Sequence, residues 1–277
     1  MPTAELQRTV ELSRLTTLRV GGPAELWEVE SEADLAEATS QPFLVIGAGS
    51  NILASDAGVD ERVVRLGRSF NTLAEFDGRP ELWLGAATPL PGLVRRAQQA
   101  GLSGLEGLLG VPAVLGGAVA MNAGTRFGQL EDSLVEVELF VGGQLERLPA
   151  AAIGLSYRRS NLPPGSIVTR VRLRLTESTP QRVQSYMDQV DSARKGQPKK
   201  KSAGCAFKNP AGDSAGRIID EAGLKGLRVG DAMVSFEHGN FIVNLGSATA
   251  ADVLELIEQI RARLGRELEL EWRVWGF

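Results

Sequence analysis

The feature that most constrains this chain is a short apolar run that ends in a glycine-rich turn. Residues 43–46 (FLVI) have the composition of a strand, and residues 47–53 (GAGSNIL) follow directly. Two glycines separated by one residue let the backbone turn tightly, so that successive N–H groups can point into one concavity that binds phosphate oxygens. A turn of this kind also occurs without any ligand. The third glycine of the Rossmann fingerprint is missing, because Ile52 stands in its place, so a Rossmann fold is not predicted.

A second glycine-rich segment, residues 107–124 (GLLGVPAVLGGAVAMNAG), is apolar and carries no charged residue. Each interior glycine costs a helix about 1 kcal/mol relative to alanine, so we expect a buried loop here rather than a helix. Such a loop lets a flat ring or a diphosphate approach the backbone, although a tightly packed crossing of the core has the same composition. Together with residues 47–53, the segment is interpreted as the other wall of a nucleotide-cofactor site.

Composition excludes several classes of function. A formal net charge of −4 argues against a nucleic-acid partner, which requires a basic face. No apolar run is long enough to span a membrane, and residues 1–5 do not open a signal peptide, so we expect a cytoplasmic protein. The chain has one cysteine and one histidine, which excludes an internal disulfide and argues against a metal site or a Ser-His-Asp triad. Its chemistry should therefore depend on a bound cofactor and a few charged groups.

The spacing of apolar residues predicts a mixed α and β chain in three consecutive blocks, residues 1–66, 67–176 and 177–277. The first block predicts strands at 24–29 and 43–46 and a helix that opens at Ser31 with Asp34 as its capping partner. The second block predicts, in order, a strand at 82–84, a helix at 91–100, a hairpin of 134–141 and 144–148, and a strand at 167–175. In the last strand apolar residues alternate with arginines, which indicates one buried face and one solvated basic face.

The third block follows a polar linker predicted at residues 176–180. It begins with a helix whose apolar stripe, typical of core packing, comprises Val183, Met187 and Val190. A short helix at 214–222 and strands at 232–234 and 241–244 come next. A further helix opens at Thr249 with Asp252 as its capping partner and ends at Gly265. The chain is predicted to close on a strand with one apolar face, formed by Leu268, Leu270, Trp272 and Val274.

Three side chains outside the glycine-rich segments could carry chemistry. Glu271 lies on the polar face of the closing strand, which faces either water or a cleft. Cys205 stands among small residues, with lysines before and after it, and nearby cations favour a reactive thiolate; a lone cysteine is also commonly a small buried apolar residue. Arg158 can grip a carboxylate through two parallel hydrogen bonds.

Several short motifs occur in an order that resembles a known family. They are Thr17 with residues 19–24 (RVGGPA), residues 47–51 (GAGSN), 116–119 (GGAV), 121–124 (MNAG), 157–160 (YRRS), 204–210 (GCAFKNP), 223–226 (GLKG) and 238–241 (HGNF), and Glu271 with Arg273. The set resembles the UDP-N-acetylenolpyruvoylglucosamine reductase family, flavoenzymes of the second step of peptidoglycan precursor synthesis. The likeness covers nearly the whole chain. The third block lacks an inserted tyrosine loop, as in the shorter of the family's two structural types.

The resemblance implies an α+β fold: a two-subdomain FAD-binding module of the vanillyl-alcohol-oxidase (PCMH) type, followed by a C-terminal α/β substrate-binding domain. Residues 1–66 and 67–176 would be the two FAD-binding subdomains. Residues 177–277 would bind the substrate, with the final strand returning Glu271 to the active site. The implied FAD-binding residues are Gly47, Ala48, Gly49, Ser50 and Asn51 on one wall and Gly116, Gly117 and Asn122 on the other.

The implied reaction is the NADPH-dependent reduction of UDP-N-acetylglucosamine enolpyruvate to UDP-N-acetylmuramate by a monomeric enzyme. Arg158 would neutralise charge that develops on the substrate carboxylate, Glu271, if protonated or bridged, would donate a hydrogen bond to it, and Cys205 would deliver the final proton. The implied contacts to the sugar-nucleotide half of the substrate are Tyr157, Asn209, Lys225 and His238.

Two positions depart from the common pattern of that family. Cys205 stands where the family usually has serine, and a thiol, with an ordinary pKa of about 8.5, is a stronger acid than an alcohol. Ala113 and Val114 replace a Gly-Thr pair, so no side-chain hydroxyl is expected beside the flavin phosphates.

Two other functions are compatible with parts of the sequence. An oxidase of the same flavin fold could act on another alcohol or sugar; such oxidases often tether FAD through His or Cys, but both lie in the third block here, so noncovalent FAD is predicted. A nucleotide-binding regulatory protein without chemistry would have no need to combine Arg158, Cys205 and Glu271.

Overall fold

The structure, a computed structural model, describes residues 6–277. Residues 1–5 lie outside the described residues. They include the start of the first predicted block and the segment in which no signal peptide is expected. The strands are Gln7–Glu11 (β1), Pro23–Val29 (β2), Phe43–Val45 (β3), Ile52–Ala54 (β4), Arg62–Leu66 (β5), Glu81–Gly85 (β6), Leu102–Ser103 (β7), Gly124–Thr125 (β8), Gly128–Gln129 (β9), Leu134–Val141 (β10), Gln144–Pro149 (β11), Ile167–Arg174 (β12), Thr176–Glu177 (β13), Arg228–Val229 (β14), Ala232–Val234 (β15), Ile242–Asn244 (β16) and Arg273–Trp275 (β17).

The α-helices are Glu32–Ala38 (α1), Leu90–Gln99 (α2), Leu115–Ala120 (α3), Pro180–Arg194 (α4), Ala215–Glu221 (α5) and Ala250–Leu264 (α6). Short 3-10 helices lie at Leu12–Arg14, Arg68–Phe70, Leu73–Glu75, Glu106–Leu108, Leu130–Asp132 and Ala150–Ile153. Within residues 6–277, no helix combines the length and the apolar character needed to cross a membrane. The mixed α and β content agrees with the sequence prediction.

The chain divides into two compact units, each built from three separate segments. The first unit contains the described residues up to Arg8, Leu26–Gly47 and Arg62–Lys195; the second contains Thr9–Glu25, Ala48–Glu61 and Gly196–Phe277. Helix α4 therefore belongs to the first unit, where Val183 and Met187 pack into the core. The three predicted blocks, residues 1–66, 67–176 and 177–277, differ from these units, because each is a continuous stretch of chain to which the resemblance assigns a ligand. That division stays a prediction.

Two four-stranded sheets organise the first unit, with strand orders β1-β2-β5-β3 and β11-β10-β12-β6. In the first sheet, β5 pairs in parallel with both β2 and β3. The second sheet is antiparallel, and α2, α3 and α4 contribute buried residues to the core on its apolar side. The predicted alternation in β12 is confirmed: Val171 and Leu173 are fully buried, whereas Arg172 and Arg174 form ion pairs with Glu81 of β6.

The second unit combines a small sheet, β14-β15-β16, with a parallel pair of β4 and β17. Helices α5 and α6 share one core with the strands, and Leu18, Val20 and Leu53 from the early part of the chain are buried in that core. Helix α6 has the predicted cap, since Thr249 accepts from the Asp252 N–H and Asp252 accepts from the Thr249 N–H. It ends at Gly265, which has the left-handed φ of 60° that favours glycine.

Asp56 supplies a second cap to α6. Its two carboxylate oxygens accept hydrogen bonds from the backbone N–H groups of Ala250 and Ala251, at 2.8 and 3.0 Å. These donors belong to the first turn, where an α-helix leaves its N–H groups without an intrahelical partner and where a negative charge is favourable. A residue from the segment 48–61 thereby stabilises a helix that lies about two hundred positions later in the sequence.

Four local predictions are wrong in detail. Residues 115–120 are helical, because tight packing of Gly116 against Ala86 requires glycine and outweighs its poor helix propensity. The closing strand has only three residues; Val274 is 41% exposed and Trp275 is buried, so the apolar face does not continue. In the predicted linker, β13 pairs with β7. Ser31 caps α1 as predicted, since its Oγ accepts from the Asp34 N–H, but the Asp34 carboxylate accepts from the Glu30 N–H instead of the Ser31 N–H.

We predict that Asp56→Ala lowers the free energy of unfolding by about 1–2 kcal/mol, because two first-turn N–H groups of α6 lose a charged acceptor. Urea denaturation followed by far-UV circular dichroism measures the change. The matched control is Asp60→Ala, which removes an equal charge from the same segment at an exposed position. Equal stability of the two variants would contradict the assigned cap.

Candidate active site

The turn after β3 has the backbone geometry of an anion-binding nest. Gly49 has φ +64°, and a Cβ built there would lie 2.1 Å from the carbonyl oxygen of Leu15, so only glycine fits. The Thr17 N–H donates to the Gly49 carbonyl and fixes the turn. Among the hydrogen bonds of residues 6–277, none is donated by the N–H groups of Ala48, Gly49 or Ser50. Unpaired consecutive N–H donors suit phosphate oxygens, so the turn fits the FAD diphosphate that the sequence implies.

Within the first unit, Gly47, the first residue of one glycine-rich segment, lies against the other segment. A Cβ on Gly47 would lie 2.8 Å from Cγ2 of Val114 and 3.9 Å from the Cα of Gly117. Gly116 donates its N–H to the Ala86 carbonyl at 2.9 Å, which holds α3 on the end of β6. The close approach of Gly47 and Gly117 is compatible with the two-walled cofactor site inferred from the sequence.

The turn that carries Tyr157 and Arg158 is tightly closed. Ser156 and Arg159 exchange backbone hydrogen bonds of 3.0 and 3.1 Å, and Arg158 adopts a left-handed φ of 54°. The Arg158 guanidinium donates to the Gly124 carbonyl at 2.5 Å and stacks over the ring of Tyr157, which is 48% exposed. The sequence motif identified both side chains, but it carried no signal for the contact with Gly124.

Asn122 is almost fully buried and also has a positive φ, 40°. Its side-chain amide donates to the Glu131 carboxylate at 3.0 Å and to the Ser156 carbonyl at 3.1 Å, while its oxygen accepts from the Glu131 N–H. Both N–H groups of the amide are therefore engaged within the protein. The assignment of Asn122 to the FAD wall stays a prediction. Because the side-chain amide is engaged, a contact with FAD would have to come from the backbone of this residue.

In the second unit, the segment of Cys205 lies between two others. Cys205 forms an antiparallel bridge with Phe241, and the Ala206 N–H donates to the Asn240 carbonyl at 2.8 Å. On the other side, the Glu271 N–H donates to the Ala206 carbonyl at 2.8 Å. The structure thus brings the backbones of Cys205 and Glu271 into neighbouring extended segments, and both side chains are partly exposed.

Two asparagines hold these segments in place. Asn51, from the glycine-rich turn, donates its side-chain amide to the Glu271 carbonyl at 3.1 Å. Asn240 pairs through both side-chain atoms with the backbone of Phe207, at 2.9 and 2.7 Å, and is fully buried. Sequence reasoning missed the role of Asn240, although the residue lies within the motif HGNF, because nothing local identifies the partner of a buried amide.

Lys225 and His238 lie close together in the second unit. Burial lowers the pKa of His238, and the neighbouring Lys225 ammonium lowers that pKa further, so the imidazole is neutral at pH 7. Its Nδ1 accepts from the Asn240 N–H at 3.2 Å, which leaves the proton on Nε2. Lys225 forms an ion pair with Asp220 at 2.5 Å. The Asn209 side chain accepts from the Ala215 N–H and so caps α5.

Each unit therefore holds part of the predicted set. Gly47, Gly116, Gly117, Asn122, Tyr157 and Arg158 belong to the first unit, and Ala48, Gly49, Ser50, Asn51, Cys205, Asn209, Lys225, His238 and Glu271 belong to the second. Within the described part of the chain, no group of His, Cys, Asp or Glu side chains is arranged to hold a metal ion.

Comparison with known proteins places these features in context. Residues 19–144 match the family model of an FAD binding domain, and residues 197–275 match that of the UDP-N-acetylenolpyruvoylglucosamine reductase C-terminal domain. The predicted fold class, an FAD-binding module followed by a C-terminal domain of this family, is confirmed.

Curated relatives match over nearly the full length of the chain. UDP-N-acetylenolpyruvoylglucosamine reductase of Thermus thermophilus is 59% identical over 96% of this chain and 98% of its own. The Deinococcus radiodurans reductase is 51% identical over 96% of this chain and 94% of its own. A crystal structure of the Thermus caldophilus enzyme superimposes with a TM-score of 0.93 and 58% identity, covering 98% of this chain and 99% of that one. The chain belongs to the UDP-N-acetylenolpyruvoylglucosamine reductase family.

Proposed function

We propose that this protein catalyses the reaction of its family, the NADPH-dependent reduction of UDP-N-acetylglucosamine enolpyruvate to UDP-N-acetylmuramate on a noncovalently bound FAD. The observation that supports this most directly is the pairing of the Cys205 and Glu271 segments through Ala206. It sets a proton donor and a second acidic group on adjacent extended backbone, as the reduction of an enol ether requires. The match of residues 19–144 to an FAD binding domain supplies the redox component.

The glycine-rich turn 47–51 and Gly116 and Gly117 would hold FAD, and FAD would supply hydride transfer from NADPH to the enolpyruvyl double bond of the substrate. The protein must then stabilise the negative charge that develops at the adjacent carbon and spreads into the substrate carboxylate. We assign Arg158 to neutralise that charge and protonated Glu271 to donate a hydrogen bond to it. Groups preorganised toward a developing oxyanion contribute roughly 3–4 kcal/mol each to lowering the barrier.

Cys205 is assigned the last step, in which its Sγ–H bond breaks and the proton passes to the carbanionic carbon. The thiolate is then reprotonated from solvent, so the cycle consumes one NADPH and one proton and changes no protein bond. The backbone around the thiol is fixed by the antiparallel bridge of Cys205 with Phe241 and by two backbone hydrogen bonds of the next residue, Ala206, with Asn240 and Glu271. A fixed backbone would direct the proton to one face of the planar carbon.

The sugar-nucleotide half of the substrate is assigned to Lys225, His238, Asn209 and Tyr157. The Lys225 ammonium suits a diphosphate, and the neutral imidazole of His238 can donate from Nε2 to a phosphate or a hydroxyl oxygen. Tyr157 is 48% exposed, and we assign its ring to packing against the sugar. We further propose that residues 1–66 and 67–176 serve FAD, that residues 177–277 serve the substrate, and that the enzyme is a cytoplasmic monomer.

A two-stage anaerobic experiment tests the reaction as a whole. Stoichiometric NADPH should bleach the flavin band near 450 nm, and UDP-N-acetylglucosamine enolpyruvate added afterwards should restore it within seconds. Bleaching followed by no return on addition of the substrate would instead indicate a flavoprotein with a different electron acceptor. Trichloroacetic acid should release the flavin intact into the supernatant.

Gly49→Ala should weaken FAD binding by at least about tenfold, because a methyl group at φ +64° collides with the Leu15 carbonyl and displaces the N–H donors of the turn. Flavin absorbance per mole of protein and titration of the apoprotein with FAD measure the loss. The matched control is Gly196→Ala, where an added Cβ meets nothing within 4 Å. Undiminished FAD affinity in Gly49→Ala would remove the turn from the cofactor site.

Cys205→Ser should keep substantial activity, because a hydroxyl in the same place can still transfer a proton. Cys205→Ala should be bleached by NADPH at the normal rate but should return its flavin band at least about 100-fold more slowly when substrate is added. Stopped-flow absorbance separates the two stages. Full turnover by both variants would eliminate Cys205 from the mechanism.

A further inference from the structure

We propose that Asn122 is a positioning residue for the substrate half-reaction, and that it acts by holding the turn of Arg158 in its left-handed geometry. The inference rests on the catalytic role proposed for Arg158. It assigns to Asn122 a role different from the flavin contact that its motif implies. All the residues that carry the argument belong to the first compact unit.

The segment 120–124 holds the turn at three points. The Asn122 side chain donates to the Ser156 carbonyl at 3.1 Å, and Ser160 Oγ donates to the Ala120 carbonyl at 2.9 Å. Between them, the Arg158 guanidinium donates to the Gly124 carbonyl at 2.5 Å. Ser156, which Asn122 contacts, lies two residues before Arg158, and Ser160 lies two residues after it. The arginine is therefore held on both sides along the chain.

The turn needs such support because its conformation is unfavourable. Arg158 has φ 54°, a region in which a residue with a Cβ is strained, and the Ser156–Arg159 pair closes around it with two backbone hydrogen bonds. Strain of this kind persists only where the surroundings over-determine it. Ser156, Tyr157 and Arg159 are exposed, and Arg158 itself is half-buried. The hydrogen bonds from segment 120–124 restrain the turn on the side where these exposed residues have little packing.

Asn122 is built to serve as that restraint. It is 1% exposed, and its own φ of 40° is tolerated better by asparagine than by most residues that carry a side chain. Glu131 clamps the amide from the other side: its N–H donates to Oδ1 at 3.1 Å and its carboxylate accepts from Nδ2 at 3.0 Å. The clamp fixes which amide atom faces Ser156. An aspartate could not donate to that carbonyl, and it would set a second negative charge against Glu131.

The variant Asn122→Gly removes the side chain and its hydrogen bonds but keeps the backbone conformation, because glycine adopts φ 40° without strain. It therefore tests the side chain separately from the backbone. We expect bleaching by NADPH to stay within about twofold of the parent, while the return of the flavin band on adding substrate slows roughly 10- to 100-fold. Hydrogen–deuterium exchange of the FAD-loaded enzyme should quicken at the amides of Ser156 and Arg159. The matched control, Gln129→Ala, removes the other side-chain donor to the Glu131 carboxylate and should leave both stages at parental rates.

A double-mutant cycle with Arg158→Ala decides whether Asn122 acts through the arginine. If it does, Asn122→Gly adds no further slowing in the Arg158→Ala background, because the group being positioned is already gone. Additive slowing, or equal slowing of both stages with loss of FAD, would overturn the proposal and return Asn122 to the cofactor wall. If Asn122→Gly has parental kinetics while the flavin band returns slowly in Arg158→Ala, the positioning role of Asn122 is overturned and the catalytic role of Arg158 stands. Parental kinetics in Arg158→Ala overturns the catalytic role of the arginine as well.

Discussion

The second unit depends on the hydrogen bonds of one peptide segment, that of Glu271. Its N–H donates to Ala206, beside Cys205, and its carbonyl accepts from the side chain of Asn51. Two residues further on, β17 pairs with β4, the strand that directly follows the glycine-rich turn. The turn, the segment of the thiol and the last strand are therefore parts of one backbone arrangement. A change that shifts any of them shifts the other two, since each hydrogen bond has a fixed length and direction.

That arrangement explains which parts of the fold the sequence could predict. Helix α6, the hairpin of β10 and β11, and β12 were predicted correctly, because caps, paired glycines and alternation are local signals. The placement of residues 9–25 and 48–61 with the C-terminal part of the chain has no local signal, because it depends on contacts such as Asp56 with α6. The helix at 115–120 was missed for a related reason: glycine propensity is local, and the contact of Gly116 with Ala86 is not.

The candidate site shows the same division at the level of single residues. Gly49 could be identified from the sequence, since glycine has few reasons other than a positive φ or a close approach to follow a strand in this pattern. The side-chain partners of Asn51, Asn122 and Asn240 could not, because an amide hydrogen-bonds equally well to a ligand, to a backbone or to another side chain. A motif thus predicts that an asparagine matters without predicting whether it touches the substrate or holds a group that does.

The charges around Lys225 bear on how an anionic substrate can bind to the second unit. Lys225 is paired with Asp220, whose side chain is about half exposed, and an exposed pair of this kind contributes only about 0–1 kcal/mol. If the proposed assignment of Lys225 to the substrate is correct, a diphosphate can displace the carboxylate at little cost. His238 adds no positive charge at pH 7, because burial and Lys225 lower the pKa of its imidazole. In the substrate site proposed here, Lys225 would then attract the diphosphate without help from His238, and the strength of that attraction should depend on whether Asp220 moves away when the substrate arrives.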